Sequence, residues 1–259
     1  MIGFDRPLQP EWIYRFIQTV DVGDKFLAHK AEFHKILWEL DGSQGKRKVG
    51  TVLTRYFLKQ EDSPNSQYVE QTPIYQIVKG CTLEAVKPLL LFQLLMRSEM
   101  LRLLTRMIYE LYGRSQSIHY DFLRKKAIEK LGGREISSRS LRNFLKTLVA
   151  FEVLRKANQL YEWKQPLEVS EQNFCDMLKL YAEEYKKSPQ ILLDELENYL
   201  FLYFHLPDIG RIGQKYNKIL WDYSQTRKSK QIMFTHVTQP PHSLPPLQRK
   251  RRQGVRCVT

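Results

Sequence analysis

The stretch Ser137-Ser138-Arg139-Ser140-Leu141-Arg142-Asn143-Phe144-Leu145-Lys146-Thr147-Leu148-Val149-Ala150, continued by Phe151-Glu152-Val153-Leu154-Arg155-Lys156-Ala157-Asn158-Gln159-Leu160-Tyr161-Glu162-Trp163, decides the fold. In its first half Leu141, Phe144, Leu145, Leu148 and Val149 recur at helical spacing, and Arg139, Arg142, Asn143 and Lys146 occupy the opposite stripe. Such a helix packs on one side and presents donors on the other. Ser137 and Ser138 are expected to cap it, because a serine hydroxyl accepts from a first-turn amide that lacks a partner. In the second half Val153, Leu154, Leu160, Tyr161 and Trp163 favour strands, around a turn at Ala157-Asn158-Gln159 in which asparagine tolerates a left-handed backbone.

Immediately upstream, residues 120–131 carry Phe122, Leu123, Ile128 and Leu131 on one side, and Gly132-Gly133 stops them as a helix. Helix, tight turn, helix and basic hairpin in this order outline a winged helix-turn-helix. Helix 138–150 is then the groove-reading element, with Arg139, Arg142, Asn143 and Lys146 toward base edges or phosphates, and Arg155 and Lys156 on the wing toward the backbone.

Charge agrees with that placement. Residues 119–163 hold ten Lys and Arg against five acids, and residues 225–259 hold eight against none, so these two segments contain the whole net charge of +13 in the 259-residue chain. Clustered cations release counterions from phosphates and drive nucleic-acid binding. Double-stranded DNA is the expected partner. RNA binding by the same surface, and a protein-interaction adaptor in a multi-subunit complex, are the alternatives, because winged folds serve all of these uses.

Away from this centre the periods are mostly helical and the expected class is mainly α, a helical bundle with an embedded winged helix-turn-helix and a small β-hairpin wing. Helices are expected over 10–20, 24–40 and 46–58 as an N-terminal bundle (1–60). A polar link around Asp62-Ser63-Pro64-Asn65-Ser66 opens a middle region (61–118) with two apolar helices, 82–96 and 99–112. The winged segment (119–168) precedes a C-terminal helical cap (169–226) with helices at 171–186, 189–204 and 207–223. Beyond Thr226, four prolines and Arg249-Lys250-Arg251-Arg252 read as a disordered basic tail (227–259). Lys46, Arg47 and Lys48 crowd a helix start, where cations are unfavourable and a phosphate is welcome, so they form a second candidate nucleic-acid contact.

No arrangement for catalysis is visible. Gly42-Ser43-Gln44-Gly45-Lys46 is too short for a phosphate loop, and Ser43–Lys46 satisfies only a bare S-x-x-K. His29 and His34 are five apart rather than four, and His119, His205, His236 and His242 have no nearby carboxylate or cysteine constellation. Asp194, Glu195 and Glu197 read as a helix first turn compensating its dipole. The three cysteines, Cys81, Cys175 and Cys257, are too scattered for a metal site or disulfide framework. The expectation is a protein that is not an enzyme and needs no cofactor or metal. The longest apolar run, 88–96, is far short of the roughly 20 residues that span a bilayer, and no export signal opens the chain, so a cytoplasmic protein without membrane contact is expected.

The order of parts, an N-terminal helical bundle, a leucine-rich pair and the segment Ser138-Arg139-Ser140-Leu141-Arg142-Asn143-Phe144-Leu145, resembles the BrxA family, small accessory proteins of bacterial phage-exclusion (BREX) islands, over residues 10–220. The resemblance implies a non-enzymatic DNA-binding component that works in antiviral defence beside larger defence-system proteins. The basic tail and the length depart from the family's pattern.

Overall fold

The computed structural model describes residues 3–63, 65–226 and 229–234. Its first part comprises α1 (Pro10–Thr19), α2 (Lys30–Ile36) and α3 (Ser43–Leu53), which runs into a π-helical turn at Thr54–Leu58. Pro10 begins α1 because its missing amide proton costs nothing in the first turn. The helix expected over 24–40 is shortened at both ends. Lys25 forms a β-bridge with Tyr68, and Leu27 is 78% exposed. The link around 61–71 is tied to this region by that bridge and by Glu70 N–H donating to Leu58 O, with Val69 buried.

The middle region follows the sequence reading closely. After α4 (Pro73–Val78), α5 (Leu83–Arg97) and α6 (Glu99–Tyr112) form the centre of the molecule. A helix apolar on every side has to be surrounded, and Leu89 to Leu95 of α5 are all fully buried. Phe92 stacks on Phe201 at 5.4 Å between ring centroids and meets the edge of Phe204 at 5.8 Å. Arg97, at the end of α5, donates to Glu184 at 2.9 Å and to the carbonyls of Arg55 and Lys59, thereby linking the first π-helical turn to a second one at Tyr181–Lys186.

Next come β1 (Ile118–His119), α7 (Tyr120–Leu131), α8 (Arg134–Ala150), β2 (Leu154–Ala157) and β3 (Leu160–Trp163). β3 lies between β1 and β2, antiparallel to both, with Ile118 opposite Tyr161 and Lys156 opposite Tyr161 on the other side. Asn158, at φ +56°, makes the hairpin turn as expected. Gly132 and Gly133, both at positive φ, separate α7 from α8. α8 begins four residues before Ser138, so Ser137 and Ser138 are not caps. They lie inside the helix, where the Ser137 hydroxyl donates back to Gly132 O and the Ser138 hydroxyl accepts from Arg124 Nε.

The C-terminal region departs most from expectation. A short parallel pair is made by β4 (Leu167–Glu168) and, later, β6 (Phe204–His205). Between them α9 (Glu171–Leu180) is capped by Ser170 and runs into the second π-helical turn. Instead of the helix expected over 189–204, the chain forms β5 (Gln190–Leu192) and two 3-10 turns before β6. Instead of one over 207–223, it forms a short α10 (Ile209–Lys215) and β7 (Trp221–Gln225). Residues 230–234, expected in the disordered tail, form β8 (Lys230–Phe234), which pairs with β5 on one side and β7 on the other. β7 and β8 make a second antiparallel hairpin besides β2–β3. Trp221 and Ile232 are fully buried, which gives this second sheet its own reason to fold. Residues 227–228 and 235–259 of the expected tail, including Arg249–Arg252, Cys257, His236 and His242, lie outside the described residues.

The protein is mainly α, with ten α-helices and three small sheets among the described residues. Its buried side chains form one apolar cluster from Phe4 to Ile232. No described helix is long and apolar enough to cross a membrane.

Candidate nucleic-acid interface

The candidate surface is the outer side of α7, α8 and the β2–β3 hairpin. Leu141, Phe144, Leu145 and Leu148 anchor α8 in the core, all fully buried. Arg142 and Lys146, one turn apart on the far side, are exposed, as is Lys156 on β2. None of these three forms an ion pair with a described residue. Burial, aided by Tyr120 and only partly opposed by Arg142, holds the Tyr161 hydroxyl above its ordinary range. Arg155 is also exposed, but its guanidinium is held at 2.6 Å by Glu162, its cross-strand neighbour. α7 adds Arg124 and Lys125, both exposed.

Two of the expected reading residues are occupied elsewhere. Asn143 is buried, and its amide donates to Phe4 O at 2.9 Å. It is one of three polar side chains on a stripe of α8 that holds the segment before α1. Phe4 N–H donates to Ser140 Oγ and Leu8 N–H to Thr147 Oγ1, each at 2.9 Å, while the side chains of Phe4 and Leu8 are fully buried. Residues 140, 143 and 147 share a helix face because three and four positions are about one turn. Asn143 therefore positions the N-terminal segment and does not reach a groove. Arg139 is half-exposed beside this stripe, with Asp5 at 3.7 Å and Glu135 at 3.8 Å, so its charge is partly neutralised within the protein. No signal within α8 itself marks Asn143 as buried, because its partner lies 139 residues away.

Lys46, Arg47 and Lys48 are not brought to this surface. They lie on α3, which packs on α2 and on the π-helical turn that follows it, and Lys46 and Arg47 line an open groove there. The histidines are better partnered than their sequence neighbourhoods suggest. His205 is 2.9 Å from Glu168 across the β4–β6 pair, and His29 is 2.8 Å from Asp24. Among the described residues no group of three or more His, Cys, Asp or Glu side chains is placed to hold a metal ion. Cys175 is buried and its thiol is pushed up to about 12 by that burial, aided by Asp176 and Glu171. Asp194 and Glu195 lie in the first turn of a three-residue 3-10 helix, Leu193–Glu195, rather than of a long α-helix, and the Asp194 carboxylate accepts from Lys230 N–H at 2.6 Å and holds β8. Glu197 is a hub where Arg106, Lys186 and the Tyr185 hydroxyl converge.

Comparison with protein-family models, with curated proteins and with solved structures returned no match.

Proposed function

We propose that residues 118–163 are a winged helix-turn-helix that binds double-stranded DNA, with α8 in the major groove and the β2–β3 hairpin against the backbone. The observation that carries this reading is the combination of topology and unspent charge. A strand, two helices joined by a two-glycine turn, and an antiparallel hairpin whose inner strand pairs back to the first strand present Arg142, Lys146 and Lys156 outward without a carboxylate on any of them. Cations kept free of partners on a helix that is otherwise anchored by four buried side chains suit phosphates and base edges. Lys125 and Arg124 at the side of α7 extend the same surface. Arg139 is a weaker contributor than the sequence implies, and Asn143 is excluded from it. Nothing in the comparisons links the chain to the phage-exclusion family, and the DNA-binding reading stands on the fold and the charge alone.

The test is a salt titration of binding to a random DNA duplex and to single-stranded RNA. Each lost phosphate contact lowers the slope of log K against log salt by about 0.9 on duplex DNA. Arg142→Ala with Lys146→Ala should therefore reduce it by about 1.8 while the unfolding midpoint stays put, because both side chains are exposed. A second chain ending at Phe234 separates the folded surface from residues 235–259 without removing β8. An unchanged slope in the double variant, or binding that disappears with residues 235–259, rules out α8 as the reading element and leaves this surface for a protein partner.

A further inference from the structure

Two of the cations of α3, Lys46 and Arg47, line a groove away from the α8 surface, and Lys48 does not. The groove between α2 and α3 has a volume of about 540 Å³, within the range of small-molecule pockets. Lys30, His34, Lys46 and Arg47 line it, and no carboxylate does. None of the three Lys and Arg residues forms an ion pair with a described residue. Lys46 and Arg47 stand near the start of α3, whose first turn contains no acid and receives no side-chain cap, so they add positive charge to the positive end of a helix. In the free protein that concentration is unfavourable, and an anion in the groove relieves it. The groove also has an apolar side. Phe33 is buried behind it, stacked on Phe16 at 3.9 Å, and Phe26 is half-buried with the Lys59 ammonium 5.3 Å from its ring centroid. At its edge Leu27 is more exposed than any other large apolar side chain among the described residues. An aliphatic side chain that open gains nothing from folding, and a planar ring laid over it would remove it from water.

We propose that this groove binds a nucleotide, an aromatic base carrying a phosphate group, with Lys46 and Arg47 on the phosphate and Phe26 and Leu27 against the base. Its volume suits one nucleotide, whereas a strand needs a continuing track of cations and stacking rings. The site is independent of the α8 surface and stands or falls separately from it.

The experiment is calorimetric titration of the full chain with each of the four nucleoside monophosphates, with the corresponding nucleosides and with inorganic phosphate. At least one monophosphate should bind about tenfold or more tightly than its nucleoside and than phosphate. Lys46→Ala with Arg47→Ala should weaken it by about tenfold or more, a loss of about 1.4 kcal/mol. That double variant should keep or raise the melting temperature and leave the duplex-DNA salt slope unchanged. Leu27→Ala should weaken the monophosphate and leave inorganic phosphate unaffected. The proposal is overturned if no monophosphate saturates the protein, if phosphate binds as tightly as the best monophosphate, or if the double variant binds it unchanged. It is equally overturned if single-stranded oligothymidylate displaces the nucleotide at lower nucleotide concentration than free thymidine monophosphate, which assigns the groove to a strand.

Discussion

Replacing Asn143 by alanine separates the two roles this residue can have. In the structure its amide donates to the carbonyl of Phe4 at 2.9 Å, within a residue that is fully buried. Removing the donor leaves that carbonyl without this partner inside the protein, at a cost of about 1–3 kcal/mol. Phe4→Ala removes the side chain that the same contact positions and should cost about 3–5 kcal/mol, the usual range for a deleted core phenylalanine. The two changes act on one junction between the N-terminal segment and α8, so their effects should not add; a coupling of about 0.5–3 kcal/mol is expected for residues in direct contact. Guanidinium unfolding of the parent, both single variants and the double variant measures all three numbers. DNA binding by Asn143→Ala, measured under conditions where it remains folded, should retain the parental salt slope. Unfolding free energy within about 0.5 kcal/mol of the parent, the range for a surface substitution, would refute the reasoning. So would additivity with Phe4→Ala.

Arg97→Ala should destabilise the fold by about 3–5 kcal/mol in chemical denaturation, because it strands the Glu184 carboxylate in a pair whose side chains are only 7% and 6% exposed. Burial pushes the Glu183 carboxyl above its usual range, opposed by Lys179. Its folded state therefore holds a proton more tightly than the unfolded chain, and the cost of ionising it is felt above about pH 4.5. Glu183→Gln should accordingly stabilise the protein at pH 7, with the gain shrinking at pH 4; no difference between the two pH values in denaturation curves would contradict this. Glu197 has the opposite sign. Burial works against its ionisation, but the Tyr185 and Tyr199 hydroxyls with Lys186 and Arg106 hold it below its usual range. Its contribution is complete above about pH 4.5 and is lost as pH falls through the folded value, so Glu197→Gln should destabilise the protein at pH 7 and progressively less in acid. Cys175, buried with its thiol pushed up to about 12, should resist alkylation at pH 8 in the native protein and react on unfolding, as peptide mass spectrometry reads directly.

How much of the fold was legible depended on how local its cause is. α5 and α6 were readable because their apolar periods are long and strong, and α8 because four core positions recur at helical spacing. The two-glycine turn and the left-handed Asn158 follow from backbone sterics of the residues themselves. The second sheet was not readable. β5 and β8 pair Gln190 with Met233 and Ile191 with Ile232 across about forty residues, and each strand alone is too short to carry a period. Segment 207–223 has apolar spacing compatible with a helix, and the burial of Trp221 against Phe234, 5.6 Å away, overrides it.

The candidate site divides along the same line. The residues of α8, α7 and the hairpin by themselves determined that a basic, amphipathic helix would be followed by a basic hairpin, since charge and apolar period are properties of neighbouring positions. Which of those polar side chains remain outside was decided only in three dimensions. Between the apolar face and the outermost cations runs a polar flank, and the segment at Phe4 and Leu8 takes three hydrogen-bonding side chains from it. Ser140, Asn143 and Thr147 are consumed in meeting that need, Arg139 is partly neutralised at its margin, and Arg142 and Lys146 are left in solvent. A helical period identifies the side that must be buried. It carries no information about a distant segment that completes its own hydrogen bonds along the flank of that side.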